Sequence, residues 1–221
     1  PVTVATSVTS ETVNLAAPTT AHNTLVVVAS LYTGASKSIA TINDSSSASW
    51  NAIEKVASSV SGSNGRIEIW WRENIPGGIT SLTLSQPAGQ AAIPKWAVKV
   101  LELNGVASTN PLDTSATAAN ASLTSLKSGL AGPVAGAGEF VIAGLASSGT
   151  TASVTLAQAS STPSTGWVAL ANFDSGTTST DVLGRAAVLQ SSAASGQYQA
   201  AWSSSAAKSG GGAVVVLRPG P

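Results

Sequence analysis

The stretch GRIEIWWREN, residues 65 to 74, sets two adjacent tryptophans in a segment that otherwise alternates like a β-strand. Neighbouring residues of a strand point to opposite faces, so Ile67, Ile69 and Trp71 share one side and Arg66, Glu68, Trp70 and Arg72 the other. The first set reads as core. The second places an indole among charges on the solvent face, which makes Trp70, with Glu68 and Arg72 beside it, the first place to look for binding.

Further strand signals surround this one at the short spacing expected of β-sandwiches. Before it come VTVATS, TVNLA, NTLVVVASLYT, SIATIN and SWNAIEKVAS, and after it SLTLSQ and KWAVKVLEL. TTAHN, SGSNG and IPGG separate them with turn chemistry. No segment has helical periodicity. LVVVASL is apolar throughout and reads as a strand buried on both faces.

The pattern then recurs. VTSETVNLAAPTTAHNTLVVVASL (8–31) matches LTSLKSGLAGPVAGAGEFVIAGLA (123–146), which places Leu25 over Phe140. GRIEIW (65–70) falls over GRAAVL (184–189), and WAVKVLEL (96–103) over GAVVVLRP (212–219). An ordered set of matches at a nearly constant offset indicates internal duplication. It predicts two tandem jelly-roll-like, Greek-key β-sandwich domains, 1–110 and 114–221, joined by a linker at STNPLDTSATAA. In the second copy the strands are EFVIAGLAS, ASVTLAQA, GWVALANF, GRAAVLQSS, GQYQAAWSS and AVVVLRP.

Composition narrows the function. The 221 residues are 43% hydrophobic and 9% charged, with ten basic and ten acidic side chains, against roughly 25% charged in an ordinary domain. A neutral, charge-poor chain lacks the basic face that nucleic acid requires, so no nucleic-acid partner is expected. There is no Cys, which excludes disulfides and thiolate metal sites. No apolar run approaches the roughly 20 residues of a membrane span. The opening PVTVATSVTSETVNLAAP has no basic segment followed by an apolar one, so no secretion signal is expected in these residues. Pro1 fits either removal of an initiator Met or a trimmed precursor.

Taken in order, NTLVVVASL and GEFVIAGLA, the Trp-bearing strands, IWWREN-IPGG-ITSLTLS, AVKVLELNGV with NPLD, and the terminal AVVVLRP resemble β-sandwich proteins of phage particles. These are especially minor tail and capsid-decoration proteins, and the chain resembles β-sandwich proteins of bacterial surfaces and secretions in the same way. The resemblance covers most of the chain and implies fold more than chemistry. It brings no catalytic signature to carry over.

The residues themselves offer little catalysis. His22, the single histidine, is the only base available to a Ser-His-Asp triad. It lies in a turn with no GxSxG near it. Glu68 and Glu73 have opposite strand parity, which does not suit paired carboxylates, and Asp44 and Asp113 read as loop residues that satisfy local backbone donors. No calcium-loop pattern and no phosphate-binding glycine motif is present. NDS (43–45) and NAS (120–122) fit glycosylation sequons that recur by chance in a Ser-rich chain.

Among the tryptophans, Trp50, Trp96 and Trp71 read as core of the first domain. Trp202, in YQAAWSSS, reads either way and joins Trp70, Glu68 and Arg72 as a binding or interface residue. Counting Asp113 of the linker, the first copy carries thirteen charged residues and the second seven, so the second is the cheaper to cover. Together these features lead to the expectation of a non-catalytic structural component of a phage virion, without cofactor. It would act as a symmetric homo-oligomer with other virion proteins as partners, and Trp70 would touch the other copy or a neighbouring subunit. The alternative is a glycan-binding adhesin or receptor-binding module, extracellular or on a cell surface, with Trp70 as sugar platform. A sandwich-fold hydrolase is a third reading, and it has the least in its favour.

Overall fold

The computed structural model describes all residues except 1, 5–7, 34–36, 51–54, 61–62, 135, 150–152, 158–165, 177, 179 and 192–194. The protein is all-β, its strands pair antiparallel, and no helix occurs among the described residues. Parts of the strands expected at 2–7, 49–58, 152–159 and 184–192 lie outside the described residues.

Eight strands come from the first half: β1 (Val2–Val4), β2 (Ser10–Asn14), β3 (Thr24–Tyr32), β4 (Thr41–Asp44), β5 (Lys55–Ser59), β6 (Gly65–Arg72), β7 (Ser81–Ser85) and β8 (Trp96–Leu103). They form a five-stranded sheet in the order β1-β8-β3-β6-β5 and a three-stranded sheet in the order β2-β7-β4. Leu25, Val27, Ala29 and Leu31 of β3 join Trp70, Trp96, Val98, Ile42, Leu82 and Leu84 in the core between these sheets.

The second half contributes β9 (Leu112–Lys127), β10 (Phe140–Ser148), β11 (Val154–Ala157), β12 (Val168–Ala169), β13 (Val182–Gln190) and β14 (Ala201–Leu217). The far end of β14, from Gly210, lies between β9 and β10, while its first residues lie between the end of β9 and β11. Register shifts between Ser203 and Lys208 and between Lys208 and Gly210 separate these two stretches. Such bulges bend a strand and increase its twist, so two long strands serve two layers. Val141, Ala143, Leu145, Val214 and Val216 of one layer meet Leu126, Val154 and Trp202 of the other in a second core.

The segment expected to be a linker is therefore largely strand: Leu112 already begins β9. Its Thr, Ser and Ala residues carry no large apolar signal, and pairing with β14 supplies the order that propensity does not.

A third core joins the halves. Val26, Val28, Ile67, Ile69, Trp71 and Ala97 of the five-stranded sheet pack with Ile142, Val182, Ala186, Ala213, Val215 and Leu217. At roughly 1.5–3 kcal/mol for each large apolar side chain buried, exposing this set would exceed the net stability of an ordinary domain, about 5–15 kcal/mol. Polar contacts cross as well: Lys95 Nζ lies 3.3 Å from Asp181 Oδ1, and Lys99 Nζ donates to the Ala171 carbonyl at 3.1 Å. The approach is close enough to need glycine. A Cβ on Gly65 would lie 2.7 Å from Ser147 Cα, and one on Gly211 would run into the Ser58 carbonyl.

The two halves repeat the same registers. Val27 faces Trp70 as Val141 faces Leu189; Leu31 faces Arg66 as Leu145 faces Arg185; Tyr32 faces Gly65 as Ala146 faces Gly184. Across the other edge, Val27 faces Val100 as Val141 faces Val216. The GRIEIW and WAVKVLEL matches hold in these registers together only if Val26, not Leu25, corresponds to Phe140. The match read from sequence is thus one residue out in this strand. With that shift the faces agree, and equivalent faces of the two halves meet in the shared core.

Candidate functional site

The alternation of β6 holds, but both of its faces are covered. Trp70 and Glu68 are both 0% exposed, which corrects the placement of this face in solvent. The five-stranded sheet is a middle layer, so parity here separates one core from another core and not core from water. Trp70 lies in the core between the five- and three-stranded sheets, and Trp71 is the indole that packs against the second half. Trp202, 1% exposed, belongs to the core within the second half. Trp50 and Trp96 are buried as expected.

The charged residues around Trp70 form an internal ladder. Glu68 accepts from Arg66 Nε at 2.6 Å and from Trp70 Nε1 at 2.9 Å. Lys55, opposite Trp70 in the register, lies 3.5 Å from Glu68 Oε2 and 4.5 Å above the indole ring centroid, a cation–π distance. One turn of the pleat further, Arg72 pairs with Asp44 of the three-stranded sheet. Asp44 also accepts from Ser46 N at 2.9 Å and from Trp50 Nε1 at 3.4 Å. Burial pushes the Asp44 carboxyl up, but the Ser46 hydroxyl, the Arg72 charge and the other donors outweigh it and hold the group below its ordinary value. Of the expected site residues, Glu68 and Trp70 are thus brought together and bonded to each other, while Arg72, partly exposed, is turned to Asp44.

A similar arrangement serves the second half. Asp181 accepts from Ser175 Oγ at 3.2 Å and Thr178 N at 2.7 Å and faces Lys95. Desolvation raises its carboxyl, and the Thr178 donors and Lys95 more than reverse this. Glu139 differs: 1% exposed, with Oε2 unpartnered, it is pushed above its ordinary value by burial and by the charge of Asp113.

His22 sits in an exposed turn with φ of 67°, its Nδ1 3.0 Å from Asn74 Oδ1. Among the described residues no group of three or more His, Cys, Asp or Glu side chains could hold a metal ion, and no helix is long and apolar enough to cross a membrane.

Two surface features are not consumed by packing, and the sequence reading singled out neither. One is the stretch of β9 beyond Ala118, whose carbonyl accepts from Ser58 Oγ at 2.9 Å; β9 pairs with β14 alone among the described strands and carries no charge from Thr114 to Leu126. Ala121 to Ser125 are all exposed, Leu123 to 43%. The other is an apolar cleft of about 310 Å³ between the ends of β8, β10 and β13.

No family model matches the chain, and no curated protein matches it. Among solved structures, the C-terminal domain of the Streptococcus agalactiae AgI/II polypeptide BspA aligns at 10% identity over 90% of this chain and 76% of that one. The TM-score is 0.22, too low to carry an argument about fold or function.

Proposed function

We propose that this protein is a non-catalytic structural subunit of a phage virion, a capsid-decoration or tail-associated protein that assembles with itself and with other virion proteins through β-sandwich surfaces. The observation that carries the reading is β9. A long edge strand normally protects itself with charge or a covering element. Here the exposed stretch before Lys127 is Ala, Ser, Leu and Thr, cheap to desolvate and open to pairing with another chain.

The reading includes two tandem jelly rolls, 1–110 and 114–221, derived by duplication. In the first half, the order 1-8-3-6 facing 2-7-4 is that of two Greek keys, with β5 attached to β6. In the second, β9-β14-β10-β13-β12 follows the same order, with β1 and β2 fused as β9 and β7 and β8 fused as β14. The repeated registers support this. The resemblance of the strand motifs to phage tail and decoration proteins supplies the biological setting. The glycan alternative depended on an exposed Trp70, and a buried indole offers no platform.

Multi-angle light scattering and proteomics of intact virions from the source test the proposal together. The expected results are a symmetric oligomer that becomes monomeric when Ala121→Lys and Leu123→Lys are introduced, and recovery of the chain from particles. A wild-type chain that stays monomeric and is absent from particles overturns the reading. An oligomer indifferent to both lysines overturns only its assignment to β9.

A further inference from the structure

We propose that the cleft between the two halves is a binding site for a small, uncharged planar aromatic molecule of about indole size. The argument comes from comparing the two halves at one register position. In the first half, Val26 pairs with Trp71, and both lie in the shared core, where Trp71 is 3% exposed. At the matching place in the second half Phe140 pairs with Gln190. Gln190 is exposed, and the cleft opens there. Where one half supplies an indole from its own chain, the other leaves an apolar recess.

The lining fits such an occupant. Phe140, Ile142 and Val188 face the shared core from the second half, and Leu101 and Leu103 close over them from β8. The volume of about 310 Å³ lies at the lower end of small-ligand cavities, roughly 300–1,000 Å³, and suits one ring system. At the mouth Val168 is 59% exposed, the most exposed of the large hydrophobics identified as such, and a ring in the cleft would cover it. Gly166 forms part of the wall: its φ is 98°, and a Cβ there would lie 2.9 Å from Leu189 Cδ1. Glu102 is the one charged residue of the lining; it alternates away from its leucine neighbours, and its Oε1 accepts from Thr20 N at 2.8 Å and Asn23 Nδ2 at 2.7 Å. The Gln190 amide is the uncharged polar side chain of the lining, enough to meet one ring N–H or hydroxyl.

This inference does not depend on the assembly proposed above. Its test is titration of the intact protein with indole, followed by calorimetry and by methyl NMR of the Leu and Val residues. Saturable binding is expected, with the largest shifts at Leu101, Leu103 and Val188 and no matching shifts at Val26 or Val28. Gln190→Trp, which copies the first half's solution, should weaken indole binding by about tenfold or more while the fold persists. Indole that fails to saturate, or shifts that map elsewhere on the wild-type protein, overturns the site without recourse to any variant. A folded Gln190→Trp protein that binds indole as tightly as wild type overturns it as well.

Discussion

Replacing Gly211 by Ala tests the contact between the two halves at its narrowest point. The added methyl would lie 2.5 Å from the Ser58 carbonyl carbon and 3.0 Å from Ser59 N, with the Ser58 oxygen nearer still. Carbon atoms rest at about 3.5–4.0 Å, so β14 and β5 must part by about 1 Å. Neither neighbour is a side chain that can rotate away. Both are backbone atoms of strands fixed in their sheets, and separating them loosens the shared core. Overpacking of this kind costs about 1–3 kcal/mol, sometimes more, and rigid backbone on both sides places Gly211→Ala at the upper end, about 3 kcal/mol. With a urea slope of about 3 kcal/mol/M, the unfolding midpoint should fall by about 1 M. Gly136→Ala is the control, because among the described residues its Cβ would meet nothing nearer than Glu139 Oε1 at 3.8 Å; it should leave the midpoint unchanged or raise it slightly. Equal midpoints for the two variants would refute the close approach and the intimate packing of the halves built on it.

The internal charges give the remaining expectations. Glu68→Ala strands the Trp70 donor and the Arg66 and Lys55 cations, at a cost of about 3 kcal/mol, while Glu68→Gln keeps an acceptor and should lose less; denaturant unfolding showing under about 1 kcal/mol for the alanine variant, a surface-pair value, would contradict the buried ladder. Asp44 is held below the ordinary aspartate value of 3.8, so its contribution is present above that pH and is lost as pH falls through the lower folded value. Asp44→Asn should flatten the acid limb of stability against pH. Glu139 runs the other way: raised above 4.5, its contribution is complete below that pH and is lost as pH rises through the folded value. Glu139→Gln should remove the decline on that side, and an unchanged profile would show that the carboxyl is not buried.

Much of the strand pattern was legible because apolar alternation and turn residues mark each element locally. The facing of β6 was not. Arg66, Glu68 and Arg72 read as a solvated row, yet the partners Lys55 and Asp44 come from other strands, and Glu68 is shut off from water while the two arginines are only partly exposed. The sequence did contain a warning. LVVVASL is apolar on both faces, and a strand paired beside it shares its layers, so β6 had to be covered on both sides too. β9 was missed because small residues satisfy a ladder without announcing it. The one-residue error in matching Leu25 to Phe140 has a related cause: a uniformly apolar run fixes neither face nor phase, and only its pairings with Trp70 and Val100 do.

The bulged region of β14 has a consequence for how this chain can vary. A strand that lines two layers would ordinarily transmit any slip along its whole length, turning both sets of inward side chains outward together. Between Ser203 and Lys208 the ladder pauses, and Ser205, Ala206 and Ala207 stand exposed. That interval acts as slack between two separately fixed registers. Residues gained or lost there leave Trp202 on one side and Val214 and Val216 on the other in place, so length variation is expected to collect in this interval and to be absent from the stretches it separates.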